Sequence, residues 1–239
     1  MTSTGRFVRR QVWLWPIIAA VILGIVGWVM RANVESSVKH TLAEDLMTIR
    51  DAEVKALKIW LDLQKENAAA ISHDPGVKTY MERLAAALDD ESVSNELLAA
   101  SPNQNAWRSE LRLWLEAHDY SGYVIFDLQG RVMAAQHADA IGRDNLPIPE
   151  GLLKKIAAGE TVITHPFHSA LLLEDEEGNL RGGLPTMFVV APVRNTAGEV
   201  IAAMGLRIRP EHDFTEILAI DRPGDSGATF AFNRDGLML

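Results

Sequence analysis

The chain has 239 residues, 48% of them hydrophobic, with 32 acidic against 23 basic side chains and a formal net charge of -9. An acidic balance of this size argues against nucleic acid or an anionic lipid surface as a partner. There is no cysteine, so disulfide frameworks and cysteine-based zinc or redox sites are excluded and packing alone must hold the core.

The first element is an uncharged run from Val12 to Met30, preceded by Arg6, Arg9 and Arg10. Its 19 residues reach about 28 Å as a helix, close to the hydrocarbon thickness of a bilayer. Trp13, Trp15 and Trp28 sit near its ends, where indoles favour the interface, and Pro16 falls in the first turn, where a missing N–H costs little. The arginines bias the preceding end to the cytoplasm. Residues 1–11 therefore read as a cytoplasmic tail and 12–30 as a transmembrane signal anchor that engages the lipid bilayer, with everything after Arg31 outside. Setting aside the three arginines takes the formal charge from -9 to -12 for that outer part. The alternative is a cleaved signal peptide, but the run exceeds a usual h-region and no clear small-x-small site follows it.

From Asn33 to Ser72 the apolar residues Val34, Val38, Leu42, Leu46, Ile49, Val54, Leu57, Leu61, Ala68 and Ile71 recur at helical spacing. A helix of that length, about 60 Å, is either a spacer stalk or a helix whose distal half docks on a domain and reports its movement to the membrane. The stripe from Val34 to Val54 offers a seam for a parallel homodimer. His73-Asp74-Pro75-Gly76 ends the helix. Shorter helices are predicted at Val77–Leu88, Ser94–Ala100 and Asn105–His118, each with an apolar stripe such as Trp107, Leu111, Trp114 and Leu115.

After Ser121 the period changes to that of strands. Tyr123–Phe126 and Arg131–Ala135 flank Asp127-Leu128-Gln129-Gly130 and predict a hairpin. A short helix over Glu150–Ala158 ends at Gly159, and strands follow at Thr161–His165, Thr186–Val193 and Glu199–Ile208, the last two joined by Asn195-Thr196-Ala197-Gly198. Glu174–Gly183 reads as an exposed polar excursion. The whole is α+β: a transmembrane helix, a long stalk helix, and an antiparallel sheet of about five strands with flanking helices. Phe126-Asp127-Leu128-Gln129-Gly130-Arg131-Val132-Met133 has a counterpart in Phe232-Asn233-Arg234-Asp235-Gly236-Leu237-Met238-Leu239, as if a second sheet module opened with the same hairpin. Residues 31–220 then form the long helix plus a membrane-distal module, and 221–239 the beginning of a truncated second one.

Ala56-Leu57-Lys58-Ile59-Trp60-Leu61 with His73-Asp74-Pro75, Phe126 to Val132, Ile141-Gly142-Arg143-Asp144, and Ala191-Pro192-Val193 through Gly198-Glu199-Val200-Ile201 resemble the extracytoplasmic double Cache sensor family over about residues 33–239. The resemblance implies PAS-like modules, at the membrane of a bacterial cell, that bind small extracellular molecules. These modules report to a cytoplasmic kinase, cyclase or chemotaxis output. The other reading is a membrane-tethered scaffold module with no ligand.

A ligand in such a sheet sits on the concave face. Tyr123 and Ile125 share one face of the first strand, Phe188 and Val190 share one face of a later strand, and Trp114, His165, Phe167 and His168 are placed to close the sides. Each also has a plain reading: Trp114 and Phe188 as core, His165 and His168 as surface loop. Arg143 and Asp144 would suit a zwitterion or simply shape their loop. The amino-acid-binding branch of the family carries an Arg-x-Trp-Tyr cluster after that loop, where this chain has Asn145-Leu146-Pro147-Ile148-Pro149-Glu150-Gly151-Leu152-Leu153. No catalytic residue, metal site or cofactor is expected. Gly224-Asp225-Ser226-Gly227 lacks a base and an oxyanion hole. His165-Pro166-Phe167-His168 offers too few ligands, and Glu174 to Glu177 lack the alternation of a calcium loop.

Overall fold

The computed structural model describes residues 14–88, 102–170, 172–174 and 179–218. The predicted cytoplasmic tail, the Ser94–Ala100 helix, the Gly224 to Gly227 motif and the repeated hairpin at 232–239 lie outside these residues. By its contacts the chain divides into two units, Met1–Ala52 and Glu53–Leu239.

Helix α1, Leu14–His73, runs through both. The sequence reading divided this stretch into an anchor and a separate stalk helix beginning at Asn33. The structure has no break there, because Arg31-Ala32-Asn33 contains neither proline nor glycine to interrupt the hydrogen-bond ladder. In the first unit the helix is long and apolar enough to cross a membrane, and none of its apolar window is buried. Val34, Val38 and Leu42 are 58–63% exposed.

In the second unit the distal part of α1 supplies Ala68 and Ile71, both fully buried, to the core. It ends at Asp74, whose Oδ1 accepts from the N–H groups of Gly76 (2.7 Å) and Val77 (3.3 Å). Asp74 thus caps α2, Pro75–Leu88, with Pro75 at the first helical position, where it has no N–H to lose. Helix α3, Pro102–Ala117, packs beside α2 through stacked Tyr80 and Trp107, their centroids 4.3 Å apart.

The strands are β1 (Gly122–Phe126), β2 (Val132–Ala135), β3 (Val162–Ile163), β4 (Phe167–His168), β5 (Leu173–Glu174), β6 (Leu180–Arg181), β7 (Pro185–Arg194) and β8 (Val200–Ile208). A 3₁₀ turn covers Ala138–Ala140, helix α4 covers Leu152–Ala157 and helix α5 covers Pro210–Leu218. The main sheet is antiparallel with order β2-β1-β8-β7-β3, and β4 also pairs with β7. Among the described residues, strands β5 and β6 pair with each other alone, so the polar excursion contains a small ribbon.

Both long hairpins close on the same chemistry. Asp127 Oδ1 accepts from the N–H groups of Gln129 and Arg131, and Asn195 Oδ1 accepts from that of Glu199, while Gly130 and Gly198 take φ of 91° and 87°. An Asx side chain standing in for a backbone acceptor, followed by a glycine in left-handed space, is what the sequence offered at both places. The strand predicted over Thr161–His165 is shorter than expected. At Thr164 the side-chain Oγ1 accepts from Phe188 N–H at 2.9 Å, taking over a ladder bond, and Pro166 then separates β3 from β4.

Sheet register assigns the faces. Tyr123 pairs with Leu206 and Ile125 with Met204, whereas Val124 pairs with Gly205, which also pairs with Val190 on β7. Directly paired residues project to the same face. Tyr123, Ile125, Met204 and Leu206 therefore share one face, backed by α1, α2 and α3. Gln104 Nε2 and Arg108 Nε of α3 reach the Met133 and Ala135 carbonyls at 3.1 and 3.2 Å. Val124, Phe188, Val190 and Arg207 share the other face. All five residues of β1 are buried, so the sheet is covered on both sides.

Candidate functional site

The face opposite the helices carries a cleft. Its floor is the sheet, with Val124 and Phe126 from β1, Val190 and Phe188 from β7, and Arg207 from β8. Its cover is the loop Leu146-Pro147-Ile148-Pro149, the start of α4 at Leu152, and Phe167 and Leu173. The cavity is about 100 Å³, room for several waters or for a ligand of a few heavy atoms. A wider groove of about 510 Å³ adjoins it, sharing Ile148, Leu152, Thr164 and Phe167 and reaching His165 and His168.

Local sequence explains the hollow. Gly205 sits mid-strand on the floor, and a Cβ there would lie 3.2 Å from Val124 Cγ1 and 3.3 Å from Phe188 Cδ1, so those two side chains converge over the glycine. Phe188 in turn meets Phe167, ring centroids 6.1 Å apart and inclined by 26°. The prolines of the covering loop hold it in conformations that do not add a strand to the sheet. The lining is mostly apolar, with a polar end made by Arg207, Thr186, Thr164, Ser121 and Gln136. Arg207 is only 5% exposed, and its Nε donates to Thr186 Oγ1 at 3.1 Å. Among the described lining residues it is the one with a formal charge.

Of the residues singled out from sequence, Phe167, Phe188 and Val190 meet in the cleft. His165 and His168 are exposed at the adjoining groove, His168 with Nδ1 2.8 Å from the Gly183 carbonyl. Trp114 does not line the cleft; it is 37% exposed on α3 and stacks on His118. Tyr123 borders the cavity but its side chain belongs to the opposite face with Ile125, 0% exposed, which the cavity does not reach. Of that expected pair Tyr123 is among the residues around the cavity and Ile125 is not, because strand parity gives the cleft face to Val124 and Phe126, one position away. The Tyr123 hydroxyl is pushed up to about 12 by burial, with Arg108 opposing. Tyr80 and Tyr120 are raised further, again chiefly by burial. Arg207, Thr186 and Gln136 were not foreseen. A lone arginine inside the apolar run Met204 to Ile208 was the available signal.

Arg143 pairs with Asp139, bonding its carbonyl at 2.9 Å and its carboxylate at 3.5 Å, so it shapes its own loop. One set of ligand-capable side chains among the described residues comes together, Asp119, His212 and Asp213, whose donor atoms lie within 4.8 Å of one another. The His212 ring faces Asp213 at 3.7 Å and Glu216 at 3.6 Å. Burial and the neighbouring Asp119 raise the Asp213 carboxyl, while His212 and Arg209 oppose the rise.

No protein-family model and no curated protein matches the sequence. Solved structures similar to the chain include the Escherichia coli DcuS sensor domain, at 15% identity over 72% of this chain and 98% of that one, TM-score 0.41. The Vibrio cholerae histidine kinase DctB sensor domain is similar at 13% identity over 75% of this chain and 59% of that one, TM-score 0.47. The sensory domain of the Campylobacter jejuni chemoreceptor Tlp3, solved with isoleucine bound, is similar at 12% identity over 78% of this chain and 72% of that one, TM-score 0.40. These three are Cache-type extracytoplasmic sensor domains, the class that the sequence resembles.

Proposed function

We propose that this chain is the extracytoplasmic sensing part of a membrane-anchored signal-transduction receptor, and that the cleft on the sheet face away from the helices takes a small molecule. The observation that carries the reading is the cleft itself: an apolar chamber with one polar end, placed between a sheet and an irregular cover instead of being filled by side chains. Support for the anchor comes from the apolar window of α1 and the arginines before it, which would hold residues 1–11 in the cytoplasm and the sheet outside. The same helix contributes Ala68 and Ile71 to the core that backs the sheet, so a ligand that shifts the sheet acts on the helix that enters the bilayer. Two such helices, joined along the exposed Val34, Val38 and Leu42 in a parallel homodimer, would pass the shift on by sliding or rotating.

The test is a thermal-shift screen of the full chain in detergent micelles against small acids, amines, sugars and neutral amides, in parallel with Val190→Trp, which fills the cleft from its floor. A stabilising compound that loses its effect in the filled variant supports a sensing cleft. Stabilisation that survives the substitution moves the site elsewhere.

A further inference from the structure

Away from the cleft, where the turn between α3 and β1 meets α5, the geometry points to a second site: we propose that Asp119, His212 and Asp213 bind a divalent transition-metal ion of the zinc type, its remaining positions filled by water.

The three side chains come from separate parts of the fold. Asp119 lies between α3 and β1, whereas His212 and Asp213 belong to α5, which follows β8. Their ligand atoms all lie within 4.8 Å of one another. Atoms that share one ion at about 2.1 Å stand about 3–4 Å apart. His212 Nδ1 and Asp213 Oδ1, at 3.7 Å, already have that spacing, and the exposed Asp119 closes the remainder by turning its side chain.

Hydrogen bonds within the cluster do not account for the arrangement. His212 Nδ1 is buried and has no hydrogen-bond partner, since 3.7 Å is beyond the reach of a bond to Asp213. The other ring nitrogen, Nε2, faces Glu216 Oε1 at 3.6 Å. A carboxylate on that side favours the tautomer with its proton on Nε2, which leaves the Nδ1 lone pair on the side of the aspartates. Metal-bound histidines are oriented in the same way. The two aspartates meanwhile repel. Burial and Asp119 raise the Asp213 carboxyl, Arg209 opposes the rise, and among the described residues no lysine or arginine forms an ion pair with either aspartate. A divalent ion would neutralise both carboxylates and give Nδ1 its partner.

The donor set decides the class of ion. One imidazole nitrogen with two carboxylate oxygens suits zinc and its neighbours, whereas calcium and magnesium take all-oxygen shells. Such an ion would clasp α5 to the turn before β1. Phe214, the next residue of α5, meets Trp60 of α1 edge-on with ring centroids 5.8 Å apart, so the clasp would set how α5 sits against α1.

The test uses the full chain in detergent micelles, stripped of metal with a chelator, and reads binding of zinc, calcium and magnesium chlorides by calorimetry and by melting shift. The expected result is one zinc ion per chain and a raised melting temperature that excess chelator reverses, with calcium and magnesium at least about tenfold weaker. His212→Gln and Asp119→Asn should each weaken zinc at least about tenfold. Asparagine is chosen because Asp119 has φ of 56°, a conformation that asparagine also tolerates. Replacing both His165 and His168 with glutamine should leave zinc binding unchanged. Metal-free melts show whether each variant folds. Should His212→Gln fail to fold, Asp213→Asn takes its place, because it relieves the repulsion and should weaken zinc by at least about tenfold without lowering the metal-free melting temperature. Absence of zinc binding, or zinc no tighter than calcium, overturns the inference. So does binding that survives His212→Gln and Asp119→Asn, which would mark adventitious ions on the surface only.

Discussion

Tyr123 and Phe188 pose the sharpest test of which sheet face is hollow. Tyr123 is 5% exposed, and its strand partner Leu206 sides with the helices, so truncation to alanine removes a ring from a filled interface. Truncating a buried aromatic costs about 3–5 kcal/mol through lost burial and the cavity left behind. In a folded unit of this size each kcal/mol moves the melting temperature by about 2–4 °C, so Tyr123→Ala should lower it on the order of 10 °C. Phe188 is half-buried against Phe167 at a chamber that is already open, and Phe188→Ala should cost about half as much or less, with the loss concentrated in ligand response. Thermal melts of the full chain in micelles, followed by far-ultraviolet circular dichroism with and without the strongest stabilising compound, give both numbers. A loss under about 1 kcal/mol for Tyr123→Ala together with an abolished ligand response would put the tyrosine ring in the cleft and refute the face assignment.

Further outcomes follow from the same geometry. Because the chain has no cysteine, Ala197→Cys in the exposed β7–β8 turn gives a single thiol, which a membrane-impermeant reagent should label in intact cells; labelling only after lysis would place the sheet in the cytoplasm. Val38→Cys and Leu42→Cys should each yield disulfide-linked dimers on mild oxidation, whereas exclusively monomeric chains in the membrane would exclude the proposed seam. The raised Asp213 carboxyl binds its proton more tightly folded than unfolded, so its ionisation costs stability that appears as pH rises past its ordinary value of 3.8. Asp213→Asn should therefore raise the melting temperature at pH 7 and raise it less near pH 4; a drop at pH 7 would show that the pairing with His212 outweighs burial and Asp119.

The architecture was readable because it rests on local signals that tertiary packing does not override. The uncharged run before Arg31, the Asp74-Pro75 cap and the Asx-to-glycine hairpins at Asp127 and Asn195 each carry their own stereochemistry. The site was readable only in part, since a sheet covered on both sides loses the alternation that marks a strand's inward face. With every residue of β1 buried, nothing in Gly122-Tyr123-Val124-Ile125-Phe126 says which parity meets the helices, and the aromatic tyrosine drew attention from Val124. Arg207 showed in the sequence only as a charge within an apolar strand; the register that sets it opposite Phe188 makes it the end of a chamber. Phe167 reaches the cleft because Thr164 and Pro166 break the strand and re-pair its end with β7, a rearrangement no periodicity encodes.

The central claim is that a small molecule enters between the sheet and its cover, and hydrogen–deuterium exchange of the full chain with and without the most strongly stabilising compound addresses it directly. The account predicts slowed exchange confined to the covering segments, residues 144–152 and 162–168, and to the adjoining strand residues 186–190, with the outer turn at 195–198 unchanged. Unchanged exchange in those segments, or protection that maps instead to the helix face around Tyr80 and Trp107, would contradict it.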